Sequence, residues 1–431
     1  MTDTAAVEAV IADAHRREWG RVLAATARTA RDLDLAEECV QEAYAAALRA
    51  WGSTGIPANP AAWLTTAARR RAIDAIRREA ALRSRLPLLV EPGQDLTETS
   101  TDEASTEEAA VHELAAVAPS DAIPDERLRL IFTCCHPALA QDAQVALTLR
   151  LLCGIPTADI ARSFLVPEPT MAARITRAKK KIAVARIPYR VPGPAELPGR
   201  LRAVLAVIHL LFTAGHTAPS GASLIRADLV DRALHLARML DELMPGETEV
   251  RGLLALLLVT DARRATRTDA AGRLVRLEDQ DRSAWDRAAL AEADAMIVGC
   301  LRAGPPGRYV LQAAIASLYA EPPSYDQTDW PQLLVLYDRL LEVWPSPVVA
   351  LNRAVPLAVV AGAAAALAEV ERLERDKRLS GYHYLPAIKA DLLSRLGRAR
   401  EAAAAYRQAL ALAANDAERA FLEEQIRGGA L

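Results

Sequence analysis

The sequence is short of lysine, cysteine and aromatic rings, and it has no long apolar run. Of its 52 basic residues only five are lysine, at 179, 180, 181, 377 and 389. The arginine bias marks a GC-rich coding sequence and says little about function. Five cysteines, at 39, 134, 135, 153 and 300, form no CxxC pair. That spacing excludes a disulfide framework and suits a reducing compartment. Net charge is −3, so the chain as a whole is neither a basic nucleic-acid binder nor an acidic tail. The N-terminal stretch is polar and mixed in charge, unlike a signal peptide. The strongly apolar run at 253–259 is far shorter than a bilayer span. A cytoplasmic protein without a membrane partner is expected. Runs of β-branched residues are few and alanine is abundant, which predicts an all-α chain of several domains.

Charge is distributed in blocks. Residues 7–50 carry helical periodicity, with Leu33, Val40, Tyr44 and Leu48 spaced for one face and Asp34 or a neighbour placed to cap. GSTGIPANP at 52–60 reads as a loop. A helix follows over about 61–84, rich in arginine at 69, 70, 71, 77, 78, 83 and 85. The sign then reverses: residues 91–126 hold eleven acids and no lysine or arginine, which predicts an extended acidic linker. Residues 127–187 are helical and end basic. IPYRVPGPAELP at 187–198 closes that module, and consecutive helices with Gly/Pro joints fill the rest. Gly362 and Gly397 open two similar stretches 35 residues apart, the second matching half of a tetratricopeptide unit. An ordinary antiparallel helical domain is the competing expectation.

The most informative stretch is 144–182, QVALTLRLLCGIPTADIARSFLVPEPTMAARITRAKKKI. One helix over 147–152 ends at Gly154 and Pro156. Thr157 is placed to cap a second, and Pro169 sits in the first turn of a third. Ile160, Ala161, Leu165, Met171 and Ile175 form the predicted seam. The last helix carries Thr170, Arg174 and Arg177 outward with a basic end. This is a helix-turn-helix: an apolar side, donors for major-groove edges, and cations for phosphates.

This stretch resembles region 4 of bacterial sigma factors. DLDLAEECVQEAYAAALRAW (32–51) followed by NPAAWLTTAARRRAIDAIRRE (59–79) resembles region 2. Order and linker resemble the extracytoplasmic-function class of the sigma-70 family. The extension resembles a subfamily with a large tetratricopeptide-like helical domain, through DARRATRTDAAGRLVRLEDQDRSAWDR, GRYVLQAAIASLYAE, TDWPQLLVLYDRLL and PSPVVALNRAV. The resemblance implies four segments: region 2 at 1–85, acidic linker at 86–124, region 4 at 125–187, and extension at 188–431 with repeats toward 335–427. It implies a non-enzymatic sigma factor with no cofactor, bound to core RNA polymerase through the β′ clamp helices and β flap, and to promoter DNA. A protein or small-molecule signal would act on the extension. Asp34, Glu37, Glu38, Gln41 and Glu42 would dock on the clamp helices. Trp63, Arg69, Arg70, Arg71, Asp74, Arg77 and Arg78 would engage the −10 element, although the resemblance favours a core role for Trp63. The 52–59 loop would hold a flipped base, binding energy offsetting unpairing. Thr170, Ala172, Ala173, Arg174, Arg177, Lys179 and Lys180 would meet the −35 element. Arg70 stands where the family has Asn, and alanines fill 172 and 173 where other sigma factors carry base-reading side chains, so the resemblance does not fix the promoter sequence. The linker would thread the polymerase cleft or cover the basic helices in the free protein.

FTCCHPAL at 132–139 suggests a metal or redox site. Adjacent ligands converge poorly on one tetrahedral ion, and vicinal cysteines make a strained disulfide. A structural role is expected, with Cys134 and Cys135 packed and Pro137 setting a helix start; a thiol sensor involving Cys153 is the alternative. His209, His216 and His235 show no paired ligand motif and are expected as core or surface residues, with no metal. Asp279, Gln280, Asp281, Arg282, Tyr309, Asp329, Asn352 and Arg353 are polar enough for an enzyme cleft but are expected as caps and interhelical bonds. A one-component, ligand-responsive helix-turn-helix regulator is the functional alternative; it leaves 32–51 without a use.

Overall fold

The computed structural model describes residues 4–85, 126–164, 166–218 and 221–428. The predicted acidic linker and Leu165 fall outside the described residues, apart from Glu126 at the linker's end. The described residues contain α-helices, short 3-10 turns and no strand; isolated bridges pair Gly221 with Asn415 and Thr268 with Leu274. The chain is all-α and divides into two compact units, residues 1–207 and 208–431.

In the first unit, α1 (Thr4–Ala30), α2 (Leu33–Thr54) and α3 (Pro60–Arg85) pack on one another. Asp32 caps α2, its carboxylate accepting from the Leu35 N–H at 2.8 Å. Asn59 does the same for α3, accepting from the Ala62 N–H at 3.0 Å. Gly55 ends α2 at φ +84°, a conformation that suits glycine. The core between the helices is small-residue rich, with Leu23, Val40, Ala43, Ala47, Trp51, Leu64 and Ala68 buried. Leu48, expected on this face, is 49% exposed. Ala47 and Trp51 lie one turn apart and take the core side, which turns Leu48 outward.

The helix-turn-helix region consists of α4 (Arg127–Cys134), α5 (Gln141–Leu151), α6 (Thr157–Ser163) and α7 (Glu168–Val184). Gly154 at φ +66° ends α5, and the Ile155 N–H reaches back to the Leu149 carbonyl at 3.1 Å, a Schellman-type ending. Thr157 is the first residue of α6 rather than its cap; the Pro156 carbonyl accepts from Ile160. Ile160, Ala161, Met171 and Ile175 are buried as the seam. Cys134 and Cys135 are fully buried and all five cysteines are free thiols. Burial pushes Cys135 up to about 12 and Cys134 well above the thiol range. Pro137 does not open a helix: α4 ends at Cys134, and the motif forms the turn leading to α5.

α8 (Leu197–His216) carries the chain into the second unit. By length and composition it is the one described helix that could cross a bilayer. Its apolar residues Leu201, Val204, Leu205, Ile208, Leu211 and Phe212 are buried while Leu210 is exposed, the one-sided pattern of an amphipathic helix packed on a core. The second unit continues through α9 (Ala227–Leu243), α10 (Thr248–Asp261), α11 (Arg287–Ala303), α12 (Arg308–Ala320) and α13 (Trp330–Val343). It ends with α14 (Pro347–Val360), α15 (Ala363–Leu373), α16 (Tyr384–Arg395), α17 (Ala399–Leu412) and α18 (Asp416–Gly428). From α12 onward each helix packs on the next. Gly362 lies directly before α15 and Gly397 two residues before α17, at φ +91° and +71°, so both sequence-repeat glycines take a left-handed turn at a helix start, one residue out of register.

Four of the residues considered for an enzyme cleft are engaged in caps and interhelical bonds. Asp281 and Asp329 cap helical turns through Ser283 and Gln332. Arg282 donates to the Tyr319 and Pro322 carbonyls at 2.9 and 2.8 Å. Arg353 ties three helices together through Asp338 at 2.6 Å and Glu369 at 2.9 Å.

Candidate functional site

Two candidate surfaces lie in the first unit. On α2, Glu38, Gln41 and Glu42 are exposed on one side. Glu42 lies 3.3 Å from Arg71 of α3. Along α3, Arg70, Asp74, Arg77 and Arg78 are exposed, while Arg69 and Arg71 are half-buried. Burial, reinforced by Arg28, pulls the Arg69 guanidinium below its usual value. Trp63 is half-buried and stands edge-on to buried Trp51, with centroids 5.5 Å apart.

On α7, Thr170, Ala172, Ala173, Arg177 and Lys180 are exposed. Arg174 is partly covered. It lies 3.4 Å from Asp142 and 5.8 Å from the Phe164 ring centre. The outward face of the helix is therefore basic and carries the small residues at 172 and 173.

Glu37, Asp34 and Lys179 are placed differently from their neighbours. Glu37 is 5% exposed and Lys179 9% exposed. Lys179 Nζ donates to Glu37 Oε2 at 2.7 Å and to Asp34 Oδ1 at 2.7 Å. Arg150 of α5 pairs with the other oxygen of Glu37, and Gln41 donates to it at 3.1 Å. Burial opposes the Lys179 charge, but the bonds from Asp34 and Glu37 outweigh it and hold the group above the ordinary lysine range. Glu37 is thus not on a solvated acidic face, and Lys179 is not on the outward face of α7. The spacing explains the second point: Met171, Ile175, Ala178 and Ile182 are the buried side, and position 179 is one turn after 175.

Further contacts bring α1 against the helix-turn-helix region and the segment that follows it. Glu126 is buried between Arg28 and Arg129, at 2.8 and 2.9 Å. The Tyr189 hydroxyl donates to the Ala24 carbonyl at 2.8 Å. A Cβ on Gly20 would overlap the Leu152 carbonyl oxygen, and one on Gly154 would come within 2.8 Å of the Trp19 ring. The sequence gives Gly154 only its helix-ending role and Gly20 none, since the close approach at each comes from a neighbour distant in sequence.

Among the described residues no cluster of three or more His, Cys, Asp or Glu side chains is placed to hold a metal ion. His209 and His216 are largely buried and His235 is exposed.

Comparison with known proteins matches residues 15–81 to sigma-70 region 2 and residues 129–182 to sigma-70 region 4. Residues 200–300 match a family of unknown function, DUF6596. An uncharacterized protein of Rhizobium meliloti (strain 1021) is 43% identical over 426 residues, covering 99% of this chain and 96% of its own length. No solved structure matches.

Proposed function

From the premise that the chain belongs to the sigma-70 family of sigma factors, we propose that it is an extracytoplasmic-function sigma factor whose N-terminal unit closes on itself until engaged. In this proposal Glu38, Gln41 and Glu42 dock on basic helices of core polymerase, and Glu37 joins them when released. The arginines of α3 hold the −10 strand, and Thr170, Arg174, Arg177 and Lys180 meet the −35 element. Binding energy, not catalysis, opens the DNA. The work is done in the cytosol, where polymerase and promoter DNA are.

One observation carries the closed state: the ion pair between Lys179 and Glu37. The −35 and −10 elements are 25 base pairs apart by name, roughly 85 Å along B-form DNA at 3.4 Å per pair. Here α7, meant to read the −35 element, is joined by a 2.7 Å contact to α2, which packs on α3, the helix meant to hold the −10 strand. Simultaneous engagement therefore requires α2 and α7 to part. Core polymerase, with basic groups to replace Lys179 and Arg150 around Glu37, supplies the compensation. We further propose that the helices after α8 form a tetratricopeptide-like array that takes a protein or small-molecule signal and biases this opening. The operator-binding alternative leaves the region matched at 15–81 without a role.

Co-elution of the full chain with purified bacterial core polymerase tests the proposal. Glu38→Lys/Glu42→Lys should weaken association at least tenfold while the circular dichroism spectrum is retained. Equal association by this variant would refute docking through the exposed α2 face.

A further inference from the structure

The second unit contains a cavity of about 400 Å³ lined mainly by α8, α10, α12, α13 and α14. That is within the range of small-molecule pockets. The stretches DARR, SLYAE, LYDRL and ALNRAV, singled out in the sequence, converge on it through Arg263, Tyr319, Tyr337 and Asn352. Its walls are aromatic and aliphatic, with Trp344 at one side. None of the residues lining it is acidic.

Arg263 is the unusual member. No described carboxylate pairs with it, although arginines elsewhere in this unit, such as 238, 264 and 353, have carboxylate partners. Burial, and then the neighbouring Arg282, draw its guanidinium down to about 10, which leaves it charged at neutral pH. Gln312 also lines the space, and its buried Nε2 has no hydrogen-bond partner. Leaving a cation and an amide donor unpaired inside a protein costs stability. Replacing both by apolar groups would be the more stable solution, so their retention points to an occupant that completes them.

We propose that this cavity binds a small organic anion: an aromatic carboxylate whose carboxylate sits on Arg263 and Gln312 and whose ring lies between Tyr319 and Trp344. A guanidinium offers a planar fork of donors that matches a carboxylate, and the apolar walls accept the ring. The inference does not rest on the promoter-binding proposal, since binding is measured on the full chain without polymerase or DNA.

The test uses 1-naphthoate and its neutral isostere 1-naphthamide, titrated calorimetrically into the full-length protein. Naphthoate should bind at least tenfold more tightly than naphthamide. Arg263→Gln should abolish that preference, and Arg263→Lys should keep part of it. Melting of the unliganded variants separates binding from folding: Arg263→Gln should melt no lower than the native chain, because it removes an unpaired buried charge. Failure of naphthoate to bind at millimolar concentration, an unchanged preference in Arg263→Gln, or a lowered melting temperature in that variant would each overturn the proposal.

Discussion

Lys179 Nζ lies 2.7 Å from Glu37 Oε2, although 142 residues separate the two in the chain. Arg150 holds the same carboxylate, so Glu37 is the shared anion of two cations. Removing Glu37 leaves Arg150 uncompensated and Lys179 with only Asp34, whereas removing Lys179 leaves Glu37 still paired. Breaking a buried pair costs on the order of 3–5 kcal/mol when the survivors stay buried; opening the unit lets water relieve that. Glu37→Gln should therefore open the N-terminal unit more than Lys179→Met. Hydrogen exchange in α2 and α7 checks this order, with faster exchange in Glu37→Gln.

Neighbouring lysines on α7 should behave oppositely. Lys180 and Arg177 face outward. Alanine at either should weaken binding to promoter duplex and lower the slope of log affinity against log salt by about one. Lys179→Met should instead strengthen association with core polymerase, because it frees Asp34 and leaves Glu37 held by Arg150 alone among the cations. Fluorescence anisotropy at several salt concentrations, with labelled duplex and with labelled core, measures both.

Gly20 offers a test whose sign decides. In an isolated helix, Gly→Ala stabilises by roughly 0.5–1 kcal/mol. Here the added methyl group would overlap the Leu152 carbonyl oxygen. Gly20→Ala should therefore lower the melting temperature of the N-terminal unit and speed exchange in α5. A raised melting temperature would mean that α1 and α5 are not packed in solution.

Acid should destabilise the second unit through two histidines. Burial, then Arg308, push His209 down to about 4. Burial, then Arg267, Arg263 and Arg264, push His216 down to about 2. Both folded values lie below the unfolded value of about 6.5, so the unfolded chain takes up protons first as pH falls. Their contribution is full above pH 6.5 and declines as pH drops toward 4. Calorimetric scans from pH 7.5 to 4.5 should show a falling transition, and His209→Gln should make the fall shallower.

The helix-turn-helix was readable because its punctuation is local: Gly154, Pro156 and the Val-Pro-Glu-Pro turn mark both breaks within a few residues. The arginine-rich helix and the paired glycines at 362 and 397 were readable for the same reason. The inward turn of Lys179 was also within reach, since Ile175 sits four positions earlier. What stayed hidden depends on chain partners far apart. Neither the closure of α2 on α7, the close approach at Gly20, nor a cavity whose lining comes from five helices leaves a periodic signal. Pro137 misled because a proline that ends one turn reads like a proline that begins a helix.

The central claim is tested most directly by run-off transcription with bacterial core polymerase on promoter fragments from the protein's own genome. Full-length protein, residues 1–190 and full-length Lys179→Met are compared. Discrete promoter-dependent transcripts are predicted, with more product from Lys179→Met than from the native chain at equal concentration. No transcript from any of the three, together with no binding to core polymerase, would contradict the account.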